Sequence, residues 1–300
     1  MKILRSASLL LLGLLAACGK GPGGESGGGT ATGESGIVVY GRENNSGTYM
    51  YFKEHVLNDV DFMASVQTLP GTAAVINAVS KDRRSIGYGG IGYLKGVKAL
   101  KVRKDAASPA IEPTLDAVVK GEYPISRYLF FYTIGEPEGA LKSFIEWVRA
   151  AEGQKICAEV GYYPLPEDKR QKGAPSTAGK GTVTIKGSDT MVILGQRWAE
   201  HFMRVNPDVV VQITGGGSGT GIAALVNGGT NICQSSRPMK DKEKSQIKAK
   251  HGKDPVEFAV AMDGIAVFVH ESNPIQDVSL EQLKRVYTGK AKTWSDLAGK

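Results

Sequence analysis

The chain has 300 residues, 41% of them hydrophobic, with a formal net charge of +7. That is enough apolar material for one large or two modest α/β domains with packed cores. Its three cysteines and four histidines are scattered without zinc spacing, and its basic runs lack the interleaved aromatics of a nucleic-acid platform.

In chain order, Lys2 and Arg5 precede an apolar run, Leu9 to Leu15, too short to span a bilayer as a mature helix. The run ends in Leu15-Ala16-Ala17-Cys18, which resembles a bacterial lipobox. That resemblance implies a signal peptide over 1–18, lipidation of Cys18 and export, against the plainer alternative of a secretory signal with an incidental cysteine. Residues 19–36 are mostly Gly, Ser, Thr and Glu and read as a flexible tether about 25 Å from end to end. No later run is long and apolar enough to cross a bilayer.

Short β-type runs then alternate with helical patterns: Ile37–Tyr40 before Tyr49–Leu57, Val183–Ile185 before Met191–Val205, and Val209–Ile213 before Thr220–Asn227. In the second helix Leu194, Trp198 and Phe202 recur at four-residue spacing, one apolar stripe suited to packing on a sheet. This alternation predicts α/β layers with mainly parallel strands. Tyr128–Tyr132 and Phe258–Val269 are the longest β-like runs and candidates to pass between lobes. Pro166 to Gly181 is nearly devoid of apolar residues and reads as an internal linker. Lys169, Arg170, Lys172 and Lys180 within it, and the bases from Lys240 to Lys253, read as solvated charge. Cys157 in a helical pattern and Cys233 in a strand-like one read as buried free thiols.

Three hydroxyl-bearing turns stand between these strands and helices: Arg42-Glu43-Asn44-Asn45-Ser46-Gly47-Thr48, Ser188-Asp189-Thr190, and the Gly-rich turn Gly215 to Gly221 around Ser218. Each places hydroxyls and backbone N–H groups at a helix start, and several such ends with an arginine describe a receptor for a compact oxyanion. Taken singly, each Ser or Thr could be an ordinary N-cap, and Arg42 a surface ion-pair partner. Enzyme motifs are missing: the Gly-rich turn has no G-x-x-x-x-G-K-[ST], and neither Ser46 nor Ser218 lies in G-x-S-x-G. Gly87-Tyr88-Gly89-Gly90-Ile91-Gly92 fits G-x-G-x-x-G, but a β-like run follows it rather than a long helix. No catalytic residue, cofactor or metal site is expected.

The segments IKGSDTMVILGQRWAE, VQITGGGSGTGIAAL, ICQSSRPM, AMDGIAVFVH, LEQLKRVYTGKAKTWSDLAGK, IVVYGRENNSGTY and IGYGGIGYLKGVKAL together resemble the phosphate-binding protein of bacterial ABC phosphate transporters. The resemblance covers nearly all of the mature body but in a different order: the family's second half comes first, and the Lys-rich linker joins its usual ends. It implies an α/β, two-lobed periplasmic solute-binding (type II) fold with two crossover strands, circularly permuted. One lobe would be continuous over 124–258, with the linker 166–182 inside it; the other would be split between 37–123 and 259–300.

By the same resemblance, Arg42, Ser46, Gly47 and Thr48 match the family's ligand turn, Ser188, Thr190 and the Met191 amide its first turn, and Ser218 its Gly-rich turn. Where the best-known branch has an aspartate that accepts the proton of hydrogen phosphate, this chain has Ser236 and Arg237. Arg237 either binds the anion or pairs with an acid. The proton acceptor is expected in Asp189 or Asp263, which could equally be a helix-start acid and a hinge-stabilising acceptor. Three helix ends at about +0.5 each, with Arg42, would offset a dianion. The resemblance implies a monomeric, lipid-anchored extracytoplasmic protein at the periplasm or cell surface. It would close by hinge motion on inorganic phosphate and hand it to ABC permease subunits. Sulfate or molybdate as ligand, or an adhesion or phosphatase-like role, are the alternatives.

Overall fold

A computed structural model of the protein describes residues 36–177 and 179–298. The expected signal peptide, Cys18 and nearly all of the tether lie outside the described residues. Among the described residues no helix is long and apolar enough to cross a membrane.

The elements run β1 (Val38–Arg42), α1 (Gly47–His55), β2 (Gln67–Leu69), α2 (Gly71–Val79), β3 (Ser85–Gly90), β4 (Lys98–Arg103), α3 (Leu115–Val119), β5 (Ser126–Ile134), α4 (Gly139–Arg149), α5 (Ala151–Val160) and β6 (Gly181–Gly187). They continue with α6 (Val192–Val205), β7 (Val209–Thr214), α7 (Ser218–Val226), β8 (Ile232–Ser235), α8 (Asp241–His251), β9 (Pro255–Val269), β10 (Asp277–Ser279), α9 (Leu280–Tyr287) and α10 (Ser295–Ala298). The strand–helix pairs read from periodicity are present with ends shifted by at most two residues, as expected where caps rather than apolar spacing set the boundary. The helix expected from Met191 starts with a 3-10 turn, Asp189–Met191.

The main path of the sheet is β2-β1-β3-β9-β5-β8-β6-β7. β1 runs parallel to β2 and β3, and β6 parallel to β7 and β8. The two parallel arrays are joined by an antiparallel centre, because β9 is antiparallel to β3 and β5, and β5 to β8. The expected mainly parallel sheet therefore holds at both flanks and fails at the middle. β9 is 15 residues long; Pro255 to Gly264 run beside β5 with a register shift that skips Val260, and its last five residues pair with β3.

The buried side chains follow the same division. One cluster draws on Val39, Phe52, Tyr88, Ile125, Met262 and Ile265, and another on Leu129, Phe131, Phe144, Trp198, Phe202 and Ala261. The changeover falls at the start of β5, between Ile125 just before it and Leu129, and within β9 between Ala261 and Met262. In the second cluster the α6 stripe is seated as its spacing predicts. Trp198 meets Phe131 edge-on at 5.9 Å between centroids, Phe202 meets Phe144 at 5.1 Å, and Trp198 Nε1 donates to the Gly153 carbonyl at 2.7 Å. In the first, Phe52 of α1 stacks on Tyr88 of β3 at 3.9 Å, which fixes the angle at which α1 leaves β1.

The G-x-G-x-x-G run serves packing. A Cβ on Gly89 would lie 2.5 Å from Thr72 Cγ2, and one on Gly90 2.6 Å from Thr190 Cγ2, so the glycines let neighbouring elements close onto β3. Only a 3-10 turn, Ile91–Tyr93, follows before β4. Among its described residues the expected linker holds a 3-10 turn, Glu167–Lys169. It is pinned to α4: Gln171 N donates to the Arg149 carbonyl at 3.0 Å and Ser176 Oγ to Glu146 Oε2 at 2.6 Å. Cys157 and Cys233 are both buried free thiols, as read from their contexts.

Candidate functional site

Three helix starts meet at one place. Ser46 caps α1, its hydroxyl accepting from the amides of Thr48 at 3.2 Å and Tyr49 at 3.4 Å. Two residues on, Thr48 Oγ1 lies 2.9 Å from Thr190 Oγ1 in the 3-10 turn that leads into α6. Gly47 faces α7 so closely that a Cβ there would fall 2.6 Å from Ser236 Oγ, and nearer still to Ser218 Oγ. Those two hydroxyls are 3.3 Å apart, and Ser218 Oγ also accepts from the Ser236 amide at 3.1 Å. Ser46, Thr48, Thr190, Ser218 and Ser236 are all 2% exposed or less. Residues from distant stretches of chain thus form one buried hydroxyl cluster.

Backbone conformation makes this convergence possible. Gly216 and Gly217 have φ of +109° and +88°, a region that suits glycine and turns the chain into α7. The Gly-rich turn locks onto the first turn through Asn45. Its carbonyl accepts from Gly219 N at 2.9 Å, and its Nδ2 donates to the Gly216 carbonyl at 3.0 Å.

Two guanidiniums flank the cluster. Arg42, 1% exposed, donates to both carboxylate oxygens of Glu43 at 3.0 and 2.9 Å, to Thr72 Oγ1 at 2.9 Å and to Asp189 Oδ2 at 3.3 Å. The second is Arg127 at the start of β5, opposite Asp263 in the β5–β9 register. Its Nε and Nη2 donate to Asp263 Oδ2 at 3.0 and 2.7 Å, and Nη2 donates also to Thr48 Oγ1 at 2.9 Å. Burial pushes the Asp263 carboxyl up from its ordinary range, while the charge and hydrogen bonds of Arg127 pull it down less strongly. Glu43 is held below the usual carboxylate range: burial opposes this, but the Arg42 hydrogen bond and charge prevail.

Of the expected site residues, Arg42, Ser46, Gly47, Thr48, Asp189, Thr190, Ser218, Ser236 and Asp263 belong to this assembly. Ser188 is buried beside it, with its amide donating to the Gln234 carbonyl at 2.8 Å. Met191 is placed differently from expectation, and Arg237 takes one of its two readings. The Met191 amide donates to the Ser188 carbonyl at 3.1 Å inside the 3-10 turn, and the Met191 side chain packs in the second core cluster. Arg237 forks onto Glu243 at 2.9 and 2.7 Å, the acid pairing that was one of its two readings. Asp189 is more than a helix-start acid, since its Oδ1 accepts from Gly216 N at 2.8 Å while Oδ2 meets Arg42.

Arg127, Glu43, Asn45 and Thr72 were not anticipated. The signal for Arg127 was a lone arginine in an apolar β-run, matched by Asp263 in the other long run. The charge balance changes with them. Two guanidiniums face three carboxylates, so the +2.5 expected from helix ends and Arg42 alone falls to about +0.5 with helix starts counted at half a charge each. The site offers directed donors rather than a large positive field. Among the described residues no group of His, Cys, Asp and Glu is placed to hold a metal ion.

A PBP superfamily domain model matches residues 27–152 and 172–300. "Phosphate-binding protein PstS 2" of Streptococcus agalactiae serotype V is 31% identical over 310 residues, covering 99% of this chain and 98% of that one. The protein of the same name from Streptococcus pneumoniae serotype 4 is 28% identical over 310 residues, covering 99% and 100%. The crystal structure of a phosphate-binding protein of a phosphate ABC transporter from Streptococcus pneumoniae TIGR4 superimposes with a TM-score of 0.68 at 27% identity, covering 88% of this chain and 100% of that chain.

Proposed function

We propose the following function for a chain that belongs to the PBP superfamily and, within it, to the PstS-type phosphate-binding proteins: it binds inorganic phosphate and delivers it to an ABC transporter. The observation that carries this reading is the convergence of α1, α6 and α7 on one set of buried hydroxyls between Arg42 and Arg127. An oxyanion stripped of water needs a donor for each oxygen. Ser46, Gly47, Thr48, Thr190, Ser218 and Ser236 supply hydroxyls and amides, and Arg42 supplies a fork. Asp189 and Asp263 are the acceptors for a ligand proton. The role is binding and release without turnover of the guest.

The lobes we assign are 37–123 with 259–300, and 124–258 with the linker inside it. β5 and β9 pass between them, a division supported by the changeover of core clusters at the start of β5 and within β9. Ligand contacts from both lobes then favour the closed arrangement over an open one. We further assign extracytoplasmic placement through a lipid on Cys18, and a circularly permuted order closed by the linker. The first and last parts of the described fold lie side by side, Ile37 N donating to the Lys292 carbonyl at 2.7 Å, which supports that order.

The test is isothermal titration of the purified chain with phosphate, and with sulfate and molybdate as competitors. Saturable phosphate binding that sulfate does not displace is expected. A folded protein that gives no heat with phosphate refutes the function and promotes an adhesion or phosphoester-cleaving role. Equal competition by sulfate or molybdate leaves oxyanion binding but removes the choice of phosphate.

A further inference from the structure

Arg127 sits where the two halves of the molecule join, and its hydrogen bonds go to both. Its Nη2 reaches Thr48 Oγ1 on α1 at 2.9 Å, and its Nη1 reaches the Ser236 carbonyl just after β8 at 2.9 Å. Nε and Nη2 are held by Asp263 on β9. The ion pair is almost fully enclosed, with side-chain exposures of 1% and 0%. Burying such a pair is costly, and an apolar pair of similar volume often stabilises a fold at least as well, so stability alone does not account for it.

The hydroxyl of Thr48 gives the pair a second role. A hydroxyl has one proton and two acceptor lone pairs. With Arg127 donating into one lone pair, the Thr48 O–H is directed away from the guanidinium, and its proton and second lone pair are left for the shared hydroxyl cluster, where Thr190 Oγ1 lies 2.9 Å away. The bond to the Ser236 carbonyl likewise anchors the residue whose amide and hydroxyl meet Ser218. Both groups belong to the proposed phosphate site, and neither is oriented by its own helix or strand alone.

We propose that Arg127, held by Asp263, is a positioning residue that orients Thr48 and Ser236 as oxyanion donors and latches the two halves in the ligand-holding arrangement. This rests on the proposed phosphate-binding function. Lysine at 127 keeps the charge beside Asp263 but lacks the fork needed to reach Thr48 Oγ1 and the Ser236 carbonyl together.

The experiment is a double-mutant cycle on phosphate affinity, measured by calorimetry on the full chain in detergent, with Arg127→Lys, Thr48→Val and their combination. Melting temperatures are recorded without ligand. Arg127→Lys is expected to weaken phosphate binding about 10- to 100-fold, as loss of a hydrogen bond to a charged group does. The double variant should lose less than the product of the two single losses, because Arg127 acts in part through Thr48. A melting temperature near the parent's separates this from a structural role. Affinity within twofold of the parent, or single losses that multiply in the double variant, overturns the proposal. If Arg127→Lys does not fold, Arg127→Gln in the same cycle is judged by the same two outcomes. A parent that binds no phosphate refutes the function itself and the positioning role with it.

Discussion

Replacing Arg42 by alanine is the most direct perturbation of the site. Its guanidinium is 1% exposed and holds Glu43 through two hydrogen bonds, Thr72 through one and Asp189 through a longer one of 3.3 Å. The truncation leaves two carboxylates without their counter-charge, and their side chains are only 24% and 22% exposed. Breaking one partner of a buried, hydrogen-bonded charge pair costs about 2–5 kcal/mol in binding. An incoming anion would also meet one guanidinium against three carboxylates. We expect a loss of about 3–4 kcal/mol, or roughly 100- to 1,000-fold in phosphate affinity. Calorimetric titration of Arg42→Ala beside the parent measures it. Adding Glu43→Gln should recover part of the loss, since it removes one of the stranded charges. A folded Arg42→Ala protein with unchanged affinity removes this arginine from the site, and with it the charge argument.

Gly47→Ala should abolish measurable phosphate binding while costing about 1–3 kcal/mol of stability, because the new methyl would drive into Ser218 Oγ and Ser236 Oγ; chemical denaturation and titration together check it. Trp198→Ala should destabilise the fold by about 3–5 kcal/mol, read from the shift of a denaturation midpoint, yet leave the affinity of the folded protein within a few-fold, because α6 is touched far from its start. Burial opposes but the Arg237 hydrogen bonds prevail in lowering the Glu243 carboxyl below its ordinary value of 4.5. Its contribution is therefore present above that value and lost as pH falls through the lower folded one. Glu243→Gln should lose about 1 kcal/mol at neutral pH and show a flatter acid limb of stability against pH; equal slopes in parent and variant would contradict the pairing. Joining residue 300 to residue 37 and opening the chain within the linker should give a protein that melts within a few degrees of the parent and binds phosphate equally, whereas an unfolded product would count against the permuted order.

The parts of this structure that could be read from sequence are those with local causes. Apolar spacing at Leu194, Trp198 and Phe202 needs only a helix to explain it, and all three are buried in the structure. Hydroxyl turns at helix starts have local causes too, which is why Ser46, Thr190 and Ser218 were recoverable. Strand direction is not written in a hydrophobic pattern, so the antiparallel centre around β5 and β9 was not. Arg127 went unread because its partner lies 136 residues away, and no spacing rule links the two. Arg237 had two local readings, and only the position of Glu243 on α8 chose between them.

The excess of carboxylates over guanidiniums bears on which oxyanion the site accepts. With three helix starts contributing about half a charge each, the enclosed groups come close to neutral, so attraction of a bare dianion is weak and directed donors dominate. A guest that still carries a proton can return a hydrogen bond to the acids. Glu43 is committed, accepting from Arg42 on both oxygens and from Gly71 N. Asp189 and Asp263 keep capacity, since a carboxylate offers about four lone-pair positions, and burial already biases Asp263 toward sharing a proton. In the proposed site hydrogen phosphate would satisfy that demand at neutral pH. Fully ionised sulfate would set lone pair against lone pair among groups buried from water, a cost that discriminates without any clash of shape.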